Sequence, residues 1–351
     1  MAIPIILGAA AAIAAAGGIG SGIHGAVKMS EANDTMQAAN ARHKRNLERF
    51  KSTEKASTES MDSLGKLELE IMKSFEDFSN TIEKIQNRPE FKTYDKKGVS
   101  LPKYDGEKLK EVYIGAGVLL GGIGGATAGT FTGIAAGGAT TAAVMAFGAA
   151  STGTPIALLS GAAATNATLA FLGGGALAAG GGGMALGSLV LGGATLGVGL
   201  LVGGIVFNIT GSTLSDKADE AWNQMKRAER EIDTACVYMD SLKSAAVQYA
   251  SVLRTVKARY DETFSVVSRT VNMYGITDWN RFSDEAKLAT ENTVLLVGLL
   301  YKMCQVNLVE KSESKDISNI NHEGIRQSLS DCKNIMREQF GIETKTYAEE
   351  Q

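Results

Sequence analysis

The sequence predicts an all-α protein in which long coiled-coil helical arms flank a glycine-rich hydrophobic transmembrane helical head. Three observations predict it. From Val112 to Ser215 the chain runs 104 residues without Asp, Glu, Lys, Arg or His, and this block holds 28 of the 41 glycines. Six of those glycines recur at every fourth position, and apolar residues on either side of the block repeat at spacings of three and four. All 73 charged residues are thereby confined to about 220 of the 351 positions, a partition that a compact water-bathed domain does not show.

Five segments follow from this pattern. Residues 1–27 carry no charge apart from His24 and have no basic stretch ahead of the apolar run. They read as a hydrophobic N-terminal anchor, with Gly18 and Gly22 as a packing pair, and not as a signal peptide. Residues 28–111 read as a helical arm and basic linker. The arm runs from Met29 to Asn87 and is ended by Pro89, with Leu64, Leu67, Ile71, Phe75, Phe78, Ile82 and Ile85 as its seam. Its Ser/Thr-rich middle, Lys51 to Ser60, is a candidate bend.

Residues 112–215 read as a glycine-zipper membrane head of two to four helices. Gly117, Gly121, Gly125, Gly129, Gly133 and Gly137 stand in strict four-residue register, which lets helix backbones approach closely. Four residues advance a helix by about 400°, so the stripe drifts by about 40° per repeat. Either the helix breaks near Gly129 or the stripe winds between two neighbours. Gly153 and Pro155, within Ser151-Thr-Gly-Thr-Pro155, are the chemistry of a hairpin apex. Thr165, Asn166 and Thr168 are polar but neutral, suited to interhelical hydrogen bonds or to a lumen. The strongest single span is Leu186 to Phe207, with twelve Leu, Ile, Val or Phe in 22 residues, worth roughly −4 to −7 kcal/mol on an insertion scale. Lysines precede the block and Lys217, Lys226, Arg227 and Arg230 follow it, which puts both flanks on one side.

Residues 216–275 read as a long coiled-coil helix. Its stripe is Met225, Ala228, Ile232, Ala235, Met239, Leu242, Ala246, Tyr249, Leu253, Val256, Tyr260, Phe264, Val267, Val271 and Tyr274, with Gly275 as the stop. About 60 residues make a rod near 90 Å long. Residues 276–351 read as C-terminal helices and a loose tail: Ser283 opens one helix, and His322 to Phe340 forms another stopped by Gly341. The two arms should pack together. Arg88 to Glu111 can span at most about 80 Å, short of a 90 Å return. The first arm is therefore expected to fold back near Ser52 to Ser60, or the arms to run antiparallel.

Several chemistries are excluded. A net charge of −3 without a basic patch argues against a nucleic-acid partner. Cys236, Cys304 and Cys332 form no metal spacing and no even disulfide set, and His24, His43 and His322 are far apart, so no catalytic, cofactor or metal residue is assigned. Gly115-Ala-Gly117-Val-Leu-Leu-Gly121 looks like a dinucleotide loop, but no acid follows before Asp216, where the ribose would need one about 20 residues on. Asn166-Ala-Thr168 and Asn208-Ile-Thr210 match the glycosylation pattern but lie inside the apolar block.

The run STGTPIALLSGAAATNATLAFLGGG, beginning at Ser151 and continuing to Gly187, resembles a string shared by uncharacterised bacterial proteins with helical arms around a glycine-rich core. It implies a bacterial source and no activity. The layout of a long helical bundle bearing a hydrophobic head is also similar to α-helical pore-forming toxins of the cytolysin A and haemolysin BL type, without a shared motif.

The expected function is that of a non-enzymatic, membrane-inserting, oligomeric α-helical protein that forms a pore, with a lipid bilayer and further copies of itself as partners. The expected location is a membrane, either the bacterial inner membrane or a target-cell membrane after secretion. The alternative is a resident membrane-anchored coiled-coil scaffold that shapes the membrane or recruits partners without a pore.

Overall fold

The computed structural model describes residues 22–91, 94–96, 99–125, 214–306, 308–309 and 320–348. These are mostly helical, 81% by residue, which bears out the all-α class. The helices are α1 (Gly22–Ile82), α2 (Gly106–Gly125), α3 (Leu214–Ser268), α4 (Asp284–Cys304) and α5 (His322–Phe340). Between α1 and α2, β1 (Asp95–Lys96) and β2 (Val99–Ser100) pair antiparallel, Asp95 opposite Ser100. The chain divides into two compact units. One is Met1–Lys51 with Leu200–Ala235, the other Ser52–Gly199 with Cys236–Gln351, so α1 and α3 each contribute to both.

In the first unit α1 and α3 run parallel. Arg42 Nε donates to Glu229 Oε1 at 2.9 Å and Asn46 Nδ2 to the same oxygen at 3.2 Å, while Arg49 pairs with Asp233 one turn further along both helices. The seam is built from small residues: Ala32 and Ala39 on α1, and Ala218, Ala221, Ala228 and Ala235 around Met225 and Ile232 on α3, are all buried.

In the second unit the same two helices again run parallel. The Tyr260 hydroxyl donates to the Ser74 carbonyl at 3.2 Å, and Asn272 Nδ2 donates to Thr81 Oγ1 at 3.0 Å. Phe75 meets Tyr260 edge to face at 6.4 Å, and Phe78 meets Phe264 at 6.2 Å, the geometry that aromatic quadrupoles favour. Every member of the α3 stripe from Met225 to Val271 is buried except Phe264, which is half-buried, while Tyr274 is exposed. α2 runs back alongside α1, with Gly106 beside the Glu83 side chain and Gly117 beside Lys73. Its core face is Leu109, Val112, Tyr113 and Ala116, the i, i+3, i+4, i+7 set of one helix side. α4 and α5 complete this core through Leu296, Leu300, Met303, Ile325, Leu329 and Ile335.

The helix ends follow local chemistry. Ser283 Oγ accepts from the Ala286 amide and Asn321 Oδ1 from the Gly324 amide, each satisfying a first-turn donor. Gly341 adopts φ +65°, the left-handed stop, with its own amide on the Arg337 carbonyl and the Ile342 amide on Met336. Gly275 also adopts φ +65°, after a π-helical turn at Arg269–Met273 that widens the end of the second arm.

Four expectations are corrected. Among the described residues no helix is long and apolar enough to cross a membrane, which overturns the expected transmembrane helix and the assignment to a bacterial inner membrane or a target-cell membrane; the expected head beyond α2, residues 126–213, lies outside the described residues. The uncharged part of α2, Val112 to Gly125, is 14 residues, about 21 Å of rise against a hydrocarbon core of about 30 Å. In α4, ten residues separate Glu291 from Lys302, and α1 and α3 carry charge along their whole length. Second, α1 is helical without interruption from Gly22 to Ile82. The Ser/Thr-rich stretch does not break it, and within it Ser60 Oγ donates back to the Ala56 carbonyl at 2.8 Å, a bond compatible with a helix interior. Third, the arms are parallel in each unit. The return is begun by α2 itself, which crosses the expected boundary at residue 112. Fourth, the tail is not loose as far as Ala348: Thr344 is buried, Gln248 exchanges two amide hydrogen bonds with the Ala348 backbone, and Tyr347 bonds His322.

Candidate functional site

α2 carries the chain from the charged linker into the uncharged block, and it holds the first members of the glycine register. Gly117 sits at the edge of its packed face, half-buried beneath Lys73. A Cβ placed there would meet Lys73 Cδ at 3.4 Å and Nζ at 3.5 Å, ordinary van der Waals contact with a flexible side chain that is also paired to Glu76. Gly121 and Gly125 continue the register within α2. Gly129, Gly133, Gly137, Gly153, Pro155, Thr165, Asn166 and Thr168 lie outside the described residues. Of the expected site, the structure thus places Gly117 against α1 and puts Gly121 and Gly125 on the same helix. Ile114, on the turn before Gly117, is 51% exposed.

A second feature escaped the sequence reading. The seam of α1 contains buried ionisable and hydroxyl side chains: His43, Glu54, Ser57 and Glu68. The signal was available. Extending the alternation of three and four backwards from Leu64 lands on Met61, Ser57, Glu54 and Phe50, and all four are buried. Polar residues at such positions reduce stability and set register and partner choice in helical assemblies.

In the second unit Glu68 belongs to a polar cluster at the meeting of α1, α3, α4 and α5. The Tyr249 hydroxyl lies 2.8 Å from the Met303 carbonyl and 2.8 Å from Ser328 Oγ. Burial pushes the Tyr249 phenol well above its ordinary value, and the nearby negative charge of Glu68 adds to it. Burial raises the Cys304 thiol strongly, again with a contribution from Glu68, and raises Cys332 to about 12. Phenol and thiols therefore stay protonated near neutral pH, where a thiol is a poor nucleophile and a poor metal ligand. Asp331, also buried, takes Lys302 Nζ at 3.0 Å and Gln327 Nε2 at 2.7 Å. This arrangement fixes the mutual positions of α3, α4 and α5. Among the described residues no group of three or more His, Cys, Asp or Glu side chains is placed to hold a metal ion.

No known protein family, curated protein or solved structure matches this chain.

Proposed function

We propose that this chain is a non-enzymatic, self-associating helical protein. Its α1–α3 pair acts as a coiled-coil arm holding an uncharged, glycine-rich segment for packing against further copies of the same segment. One observation carries the reading. α2 leads into the 88 residues between Gly125 and Leu214 as a helix, α3 leads out of them as a helix, and those 88 residues contain no ionisable side chain. A segment so composed gains little from facing water alone, and a four-residue glycine register suits close helix–helix contact. The polar residues in the α1 seam suit the same role, because they penalise misaligned pairing more than they cost the aligned one.

Light scattering on the full-length protein tests this. The expected mass is a discrete multiple of 36.8 kDa, reduced when Gly129 and Gly133 are both replaced by Leu. A monomer at all concentrations would overturn it. Dye-loaded liposomes in a parallel assay separate self-packing from an acyl environment: leakage proportional to added protein would also overturn the reading.

A further inference from the structure

His43 lies in the α1–α3 seam of the first unit, 6% exposed, with neither ring nitrogen within hydrogen-bonding reach of a partner. An imidazole in that position is tolerated only while neutral, because a buried cation without an acceptor loses its hydration and gains nothing in return. The charged groups around it offer no relief. On its own helix Arg42 is adjacent and carries the same sign as imidazolium, and Arg49 is committed to Asp233. On α3, Glu229 is held by both Arg42 and Asn46, Lys226 lies over the Trp222 ring at 5.7 Å, and Glu231 is half-buried beside the exposed Arg230. Residues 1–21 and 200–213 of the same unit contain no ionisable side chain. Burial accordingly holds His43 below its ordinary 6.5.

We infer that His43 makes the α1–α3 pairing of the first unit acid-sensitive, so that proton uptake by its imidazole opens the pair between Ser30 and Lys51. The sign follows from linkage. Above about pH 6.5 the ring is neutral whether the pair is open or closed, and pH has no effect through it. Below 6.5 the open form takes up a proton that the closed form refuses. Opening then grows by at most about tenfold per pH unit until the closed form also protonates.

Two measurements on the full-length chain decide this. NMR titration of the imidazoles, assigned with His24→Gln and His322→Gln variants, should give His43 a midpoint below 6.5. Hydrogen exchange, corrected for intrinsic rates, should show protection in residues 30–51 and 214–235 falling up to tenfold per unit between about pH 6.5 and 5.5. His43→Leu should remove that slope. His43→Gln, neutral at every pH and closer in polarity, should remove it too and serves if the Leu variant fails to fold. A His43 midpoint at or above 6.5 would mean that an acceptor, most simply Glu229, captures the ring, and would overturn the proposal. So would an unchanged slope in both variants.

Discussion

The Tyr249 hydroxyl donates to the Met303 carbonyl at 2.8 Å while sitting 2.8 Å from Ser328 Oγ, so a single phenol on α3 ties the end of α4 to α5. The Met303 carbonyl also accepts the Val306 amide at 3.1 Å. Removing the phenol oxygen therefore leaves one buried lone pair and the Ser328 hydroxyl to be satisfied elsewhere. Tyr249→Phe should cost about 1–3 kcal/mol, read as a lower urea midpoint at unchanged slope. Ser328→Ala should be less than additive with it, because both remove the same contact.

The parts of this fold that depend on local chemistry were legible. The α3 stripe, the Ser283 cap and the stops at Gly275 and Gly341 are decided within a few residues, by periodicity, a side-chain oxygen or a positive φ. What was not legible is non-local. Nothing near Glu111 marks α2 as continuous, because one charge on a helix face does not end a helix, and the boundary drawn from charge alone fell inside it. The direction of α1 against α3 depends on pairs such as Arg42 with Glu229, which are remote in sequence. His43, Glu54 and Glu68 lie in the seam, and a stripe defined by apolar residues does not reach them because it stops at the first polar member.

Two glycines should respond oppositely to alanine. Gly341 holds φ +65° as the stop of α5, a conformation that costs an L-residue about 1–2 kcal/mol. Gly341→Ala should lower the thermal midpoint accordingly. Gly117 lies in a helix, where alanine is favoured by up to about 1 kcal/mol, and the nearest atoms to its added methyl are Lys73 side-chain atoms at ordinary contact distance. Gly117→Ala should raise the midpoint or leave it unchanged. A drop in mass by light scattering with this variant, at intact stability, would assign the glycine to contact between copies.

All three thiols are buried, and burial holds Cys332 at about 12. A thiol-specific reagent at about pH 8 should therefore react slowly with the native protein and promptly with three equivalents after unfolding in guanidinium. Labelling of Cys304 or Cys332 under native conditions at the free-thiol rate would show that the α4–α5 contact opens readily.

Acid should act on the first unit through a carboxylate as well as through its histidine, at a lower pH. The Arg42 guanidinium, helped by Asn46, holds the Glu229 carboxyl below its ordinary 4.5. A carboxyl depressed in the folded state stabilises it above about 4.5, and the contribution is lost as pH falls through the folded value. The pair is modest, because Arg42 is 43% exposed and solvent screens it. Glu229→Gln should cost less than about 1 kcal/mol near neutral pH. The difference from wild type should shrink as pH falls below 4.5 and close once the native carboxylate is itself protonated. Chemical denaturation at several pH values would resolve it, and a Glu229→Gln difference that did not change from neutral pH into acid would show that shape, not charge, is what Glu229 supplies.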